Sequence, residues 1–251
     1  MQREYVKEYS HHLGREMEFL IYGHTGKPVI VFPTGNGRFW QYEEHGMVNA
    51  IGDFIDSGQI QLFCVDGVDP ESWNGKSASP ADRIRRQEQY FLYASEEVIP
   101  KIKGYSKSVN GGQDLGLMAT GCSMGAFHSA ITLFRRPDLI DTAVCLSGAY
   151  DAGYFMKDYK DSLVYLNSPL DFLENLHDEN HLNLIRQARL VFCVGQGAWE
   201  DQMIKDTRSM DRLLKKKHIP AFVDFWGKDV NHDWDWWFKQ MNYFLPLVLA
   251  D

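Results

Sequence analysis

Six short apolar runs punctuate the chain, and helix-patterned segments separate them. They are Pro28-Val-Ile-Val-Phe32, Ile60–Val65, Leu115–Thr120, Thr142–Leu146, Arg189–Val194 and Phe222–Trp226. Short apolar runs bounded by turn residues suit strands buried on both faces. Strands that alternate with helices need crossover connections, which make them parallel and lay helices on both faces of the sheet. The class is therefore α/β: a three-layer sandwich around a mostly parallel central sheet. Residues 5–13 and 15–22, around Gly14, read as a hairpin that adds antiparallel strands at one edge.

The intervening helices have readable ends. Trp40 to Asp56 carries apolar residues at helical spacing. Ser79-Pro80-Ala81-Asp82 is a helix start, with Ser at the N-cap, Pro in the first helical position and an acid in the first turn. That helix is expected to run to about Lys103. Others span Ser123 to Arg136, stopping before Pro137, then Asp201 to Lys217, then Trp234 to Leu249. Residues 149–185 break the rhythm. A connection that long is usually functional, and a cap-like insertion is expected there. With no repeat and no flexible linker, one domain over residues 1–251 is expected.

Composition narrows the function. The 251 residues, 44% hydrophobic and 24% charged, are enough for a large core without staples. A net charge of −8 disfavours nucleic-acid binding. The one tight basic run, Lys215-Lys216-Lys217, reads as a solvated helix end. Four cysteines lie in or beside apolar runs without C-x-x-C spacing, and no H-E-x-x-H motif occurs, so neither a metal nor another cofactor is expected. Met1 to Glu8 is polar and charged, unlike a signal peptide, and no apolar run is long enough to span a bilayer. A cytoplasmic protein without membrane contact is expected; its oligomeric state is open.

The motif that carries chemistry is Gly121-Cys122-Ser123-Met124-Gly125, a G-x-S-x-G sequence between a strand and a helix. A chain that turns so sharply leaves no room for side chains at the flanking positions. The turn lifts the Ser123 hydroxyl above the sheet at a helix N-terminus, where N–H groups favour developing negative charge. Ser123 is the expected nucleophile, and the N–H of Met124 one oxyanion donor. Thr34-Gly35-Asn36-Gly37 follows the first apolar run and is placed to supply the second, from Asn36 or from Gly35 or Gly37.

A base and an acid complete such a site in the order serine, acid, histidine. His218 and His232 are the histidines of the final fifth of the chain. His218 belongs to a lysine-rich helix end, whereas His232 follows the last strand, so His232 is the expected base. The acid is expected in the loop Gly195-Gln196-Gly197-Ala198-Trp199-Glu200-Asp201. Glu200 is preferred over Asp201, but either doubles as the acidic first turn of the next helix. Trp40, Tyr150, Tyr154 and Phe155 are candidate substrate contacts, and the aromatic cluster Trp234, Trp236, Trp237 and Phe238 reads mainly as core.

These pieces resemble the esterase branch of the α/β-hydrolase superfamily, which includes esterase D-like and feruloyl-esterase-like proteins. The matching residues are Phe32-Pro33-Thr34 with its glycines, the elbow Gly121–Gly125, Leu146-Ser147-Gly148-Ala149-Tyr150-Asp151, Tyr165-Leu166-Asn167-Ser168-Pro169, Gly195-Gln196-Gly197 and His232-Asp233-Trp234. The resemblance implies an α/β-hydrolase that cleaves small-molecule carboxylic esters through an acyl-serine, without a cofactor. Ala198 departs from it, standing where relatives often carry the acid. Two other readings share these residues. An acyltransferase uses the same acyl-enzyme with an alcohol in place of water, and a binding protein keeps the fold without the chemistry.

Overall fold

The computed structural model describes residues 1–250; Asp251, the last residue of the expected domain, lies outside them. Eight strands form one sheet in the order β1-β2-β4-β3-β5-β6-β7-β8. They are β1 Arg3–Ser10, β2 Arg15–Tyr22, β3 Lys27–Phe32, β4 Ile60–Val65, β5 Met118–Cys122, β6 Thr142–Leu146, β7 Arg189–Val194 and β8 Phe222–Phe225. The hairpin β1–β2 is antiparallel and joins the rest through an antiparallel β2–β4 pairing. All other neighbours are parallel. Strands β4, β5 and β6 are buried along their whole length, as their unbroken apolar runs require.

Helices cover both faces, and each face has its own core. On one, Phe32, Phe63, Tyr90, Phe127, Phe134 and Phe192 pack under the helices Pro80–Leu92, Met124–Arg135 and Asp201–Lys216. On the other, Val29, Leu62, Cys122 and Leu146 meet Tyr42, Ile51, Trp237 and Phe244 of the first and last helical segments. Among the described residues no helix is long and apolar enough to cross a membrane.

Three local expectations need correction. Trp40 to Asp56 is three short helices, Gln41–Glu44, Met47–Ala50 and Gly52–Asp56, because Gly46 takes φ 89° and ends the first of them. The helix begun at Pro80 continues to Val109 through a wide turn at Tyr93–Val98. Pro100 lacks the N–H that an α-turn would use there, and the wide turn absorbs the fault. Strand β5 starts at Met118 rather than Leu115, since Gly116 is left-handed at φ 72°. The segment 149–185 holds four short helices, Gly153–Met156, Ser162–Leu166, Pro169–Glu174 and Glu179–Gln187. It is tied down on the first core by Asn167, whose amide donates to Glu88 (2.7 Å), and by Phe155 against Trp73 and Phe127.

Candidate active site

Ser123 stands between β5 and the helix Met124–Arg135 with φ 56° and ψ −117°, a conformation L-residues rarely adopt. Sterics around it explain the two glycines. A Cβ on Gly121 would lie 2.5 Å from the Gly125 carbonyl carbon and 2.7 Å from the Phe32 oxygen. One on Gly125 would collide with the Phe32 and Pro33 carbonyls. The elbow is pinned from the next strand, Ser123 N–H donating to Leu146 O at 2.8 Å. Ser123 is half-buried, whereas the neighbouring Cys122 is fully buried, with its thiol pushed up to about 12 by burial. At neutral pH that thiol is not a competing nucleophile.

The loop after β3 lies against the elbow: a Cβ on Gly35 would lie 3.9 Å from Met124 Cβ. Asn36 is left-handed at φ 61°, and Gly35 and Asn36 are exposed. The loop is braced on several sides. Gln41 accepts from Thr34 N–H (2.8 Å) and donates to Thr34 Oγ1 (2.7 Å). Asn74 donates to Asn36 Oδ1 at 3.0 Å. Asp66 accepts from Arg38 Nε (2.6 Å) and Phe39 N–H (3.3 Å). Burial raises the Asp66 carboxyl above its ordinary value, while the Arg38 guanidinium pulls it the other way.

Glu200 and His232 come together from the carboxyl ends of β7 and β8, on the edge where Ser123 stands. His232 Nδ1 lies 3.2 Å from Glu200 Oε2. Glu200 is fully buried and His232 partly open. The two loops are laced by backbone bonds, His232 N–H to Ala198 O (3.0 Å) and Gly197 N–H to Val230 O (2.8 Å). Asn231 Oδ1 also accepts from Ala198 N–H at 2.8 Å. Asp201 is exposed and opens the next helix. With Nδ1–H given to a carboxylate, Nε2 of a neutral imidazole carries the free lone pair.

Two further residues touch this pair. Ser147 Oγ lies 2.6 Å from Glu200 Oε1, and Trp237 Nε1–H donates to Ser147 Oγ at 3.1 Å. The Trp237 ring also meets the His232 imidazole edge-on, centroids 4.9 Å apart. Neither residue is a site residue on sequence grounds: Ser147 enters only within the matching piece Leu146–Asp151, without a role, and Trp237 reads as part of an apolar helix face. A hydroxyl one residue past β6, beside the elbow strand, is the signal that would have found the first.

The candidate substrate contacts divide. Trp40 and Tyr154 are exposed, Phe155 is partly buried against Trp73 and Phe127, and Tyr150 is fully buried. Tyr150 is a core residue rather than a contact: its ring packs edge-on against Phe192 of β7, and its N–H is held by Asp206 at 2.8 Å.

The family described as "Putative esterase" matches residues 10–247. No curated protein matches the chain. Among solved structures, a ferulic acid esterase superposes with TM-score 0.73 at 17% identity, covering 99% of this chain and 97% of that one. The fluorophosphonate-binding serine hydrolase FphF of Staphylococcus aureus gives 0.71 at 14% identity, covering 100% and 99%. An S-formylglutathione hydrolase from Agrobacterium tumefaciens gives 0.67 at 14%, covering 98% and 94%. At these identities the likeness speaks for the fold.

Proposed function

Because the chain belongs to the family described as "Putative esterase", and is an esterase on the α/β-hydrolase fold, we propose that it cleaves carboxylic esters through an acyl-serine, with Ser123 as nucleophile, His232 as base and Glu200 as the acid that orients it. The observation that carries this reading is the buried Glu200 bonded to His232 Nδ1, on the strand-end edge that also holds the strained Ser123. An open α/β sheet puts its site at that edge.

His232 Nε2 takes the proton of Ser123 Oγ as the oxygen adds to the ester carbonyl carbon. The resulting oxyanion accepts hydrogen bonds from Met124 N–H and from Asn36 or Gly35 N–H, at the N-terminus of the elbow helix. The imidazolium, stabilised by Glu200, returns the proton to the departing alkoxide, and the alcohol leaves. Water, deprotonated by the same nitrogen, then adds to the acyl-serine, and the carboxylic acid and free Ser123 are released. Trp40 and Tyr154, exposed, remain as substrate contacts, with 149–185 as the segment that presents Tyr154. The four free, buried cysteines suit a reducing compartment, and a cytoplasmic location goes with this reading.

The test is labelling by a fluorophosphonate probe alongside hydrolysis of p-nitrophenyl acetate. Wild-type protein is expected to be labelled and active. Ser123→Ala should lose both while unfolding at the same temperature, turnover dropping by several orders of magnitude, as for other triad nucleophiles. Labelling retained in Ser123→Ala, or more than about a tenth of the turnover, would assign the nucleophile elsewhere.

A further inference from the structure

We propose that Ser147 and Trp237 are positioning residues of this site: a buried hydroxyl relay holds Glu200 so that only Oε2 is offered to His232. The inference rests on the triad reading above and extends it by two residues.

The direction of the relay follows from donor chemistry. An indole N–H only donates, and an ionised carboxylate only accepts. Ser147 Oγ lies between the two, 3.1 Å from Trp237 Nε1 and 2.6 Å from Glu200 Oε1. Its single proton must therefore point at Glu200, and its lone pair at Trp237. All three side chains are buried, so water does not compete for these bonds. A fully buried carboxylate needs partners on both oxygens. Oε1 has Ser147 and Oε2 has His232.

Four separate elements converge to make this arrangement. Ser147 follows β6, Glu200 follows β7, His232 follows β8, and Trp237 is in the last helix, Trp234–Leu249. Ser147 holds φ 52°, unfavourable for a serine, fixed by its N–H bond to Cys193 O at 2.7 Å. Backbone strain kept beside a hydroxyl that bonds a buried carboxylate fits a residue retained for that hydroxyl. Trp237 acts twice, closing the relay at Ser147 and packing edge-on against the His232 ring. The carboxylate is thereby fixed against rotation, and the imidazole against tilt.

The test measures kcat and KM for p-nitrophenyl acetate in Ser147→Gly, Ser147→Ala, Trp237→Phe, Glu200→Gln and the Ser147→Gly/Glu200→Gln double variant. Glycine removes the hydroxyl and accepts the positive φ without strain, so Ser147→Gly should fold even if Ser147→Ala does not. Loss of a hydrogen bond to a charged group should lower kcat about tenfold to a hundredfold, with KM changed by less than about twofold. In the Glu200→Gln background, Ser147→Gly should change kcat by less than about twofold, since the hydroxyl acts only through that carboxylate. Trp237→Phe should lower kcat by a smaller factor, about threefold to tenfold. Wild-type kcat in Ser147→Gly, or the full loss repeated in the Glu200→Gln background, would overturn the relay. Neither result touches the triad reading, which falls separately if Glu200→Gln itself leaves kcat unchanged.

Discussion

Glu200–His232 and Asp69–His128 are both carboxylate–imidazole pairs, 3.2 and 2.9 Å across, and both carboxylates are buried. They differ in what surrounds the ring. The His232 side chain is 16% exposed, on a loop at the carboxyl edge of the sheet. The His128 side chain is 3% exposed, within the elbow helix, and enclosed by Phe32, Tyr90 and Phe127. Its partner Asp69 lies in the loop after β4 that also carries Asp66, the brace of the oxyanion loop. The second pair therefore clamps that loop to the helix behind Ser123. A histidine beside a carboxylate is a base only where a lone pair reaches reactants. Where aromatic rings close over it, it is a buried cross-link.

The largest effects should separate the two histidines. His232→Ala is expected to lower ester turnover by several orders of magnitude, as removal of a triad base does elsewhere. Its denaturation midpoint should stay near wild type, because the ring is partly open to solvent. His128→Ala should do the reverse. Leaving Asp69 buried without its partner costs about 3–5 kcal/mol of stability, seen in urea unfolding, while kcat per folded molecule falls far less than in His232→Ala, since the enclosed His128 ring reaches no reactant. If His128→Ala abolishes turnover at unchanged stability, the distinction between cross-link and base is wrong.

Sequence makes one of these pairs visible and hides the other, for physical reasons. The elbow is legible because its glycines answer steric demands that no other residue meets, partly from each other and partly from the end of β3, and those demands leave a signature five residues long. His232 is legible from chain order, as a histidine just past the last strand. The Asp69–His128 contact joins residues far apart in sequence through a loop of no regular period, so no local pattern announces it. The same holds for the partners of Ser147 and Trp237. Tyr150 is equally ambiguous in sequence: an aromatic just past a strand end faces either the site or the core, and the full burial of its ring against Phe192 decides for the core. The helical spacing over 40–56 does mark helical turns, but a left-handed glycine within it breaks the run, and periodicity does not register φ.

Exchange of the carboxylates sharpens the comparison at a smaller scale. Glu200→Gln keeps the shape but removes the charge that stabilises an imidazolium. Turnover should fall by roughly 10³–10⁴-fold, with the unfolding midpoint little changed. Asp69→Asn is the matched change in the buried pair. It keeps an oxygen that accepts from His128, so it should lower stability by only about 1–2 kcal/mol and leave kcat at wild type. Steady-state kinetics and urea unfolding on both variants should give opposite patterns. A kinetic defect in Asp69→Asn at unchanged stability would mean that the buried pair acts on the site and is more than a cross-link.

The smallest effect belongs to Asp201→Asn, and it tests the assignment of the acid most sharply. Asp201 adjoins Glu200 in the chain, and by sequence the two are near equals for the role. The structure separates them by one step of backbone. Glu200 turns inward, fully buried, to Ser147 and His232, whereas Asp201 begins the helix Asp201–Lys216 with its carboxylate exposed. An exposed acid in a first turn interacts with the helix dipole and is worth about 0.3–1 kcal/mol, less in salt. Asp201→Asn should therefore lower stability by no more than that amount and leave kcat and KM at wild type. Measured beside Glu200→Gln, it is the control for a charge lost from the same loop. If Asp201→Asn is the crippling change and Glu200→Gln is mild, the loop rearranges in solution and brings the other carboxylate to His232. The relay through Ser147 would then hold a residue that does not act.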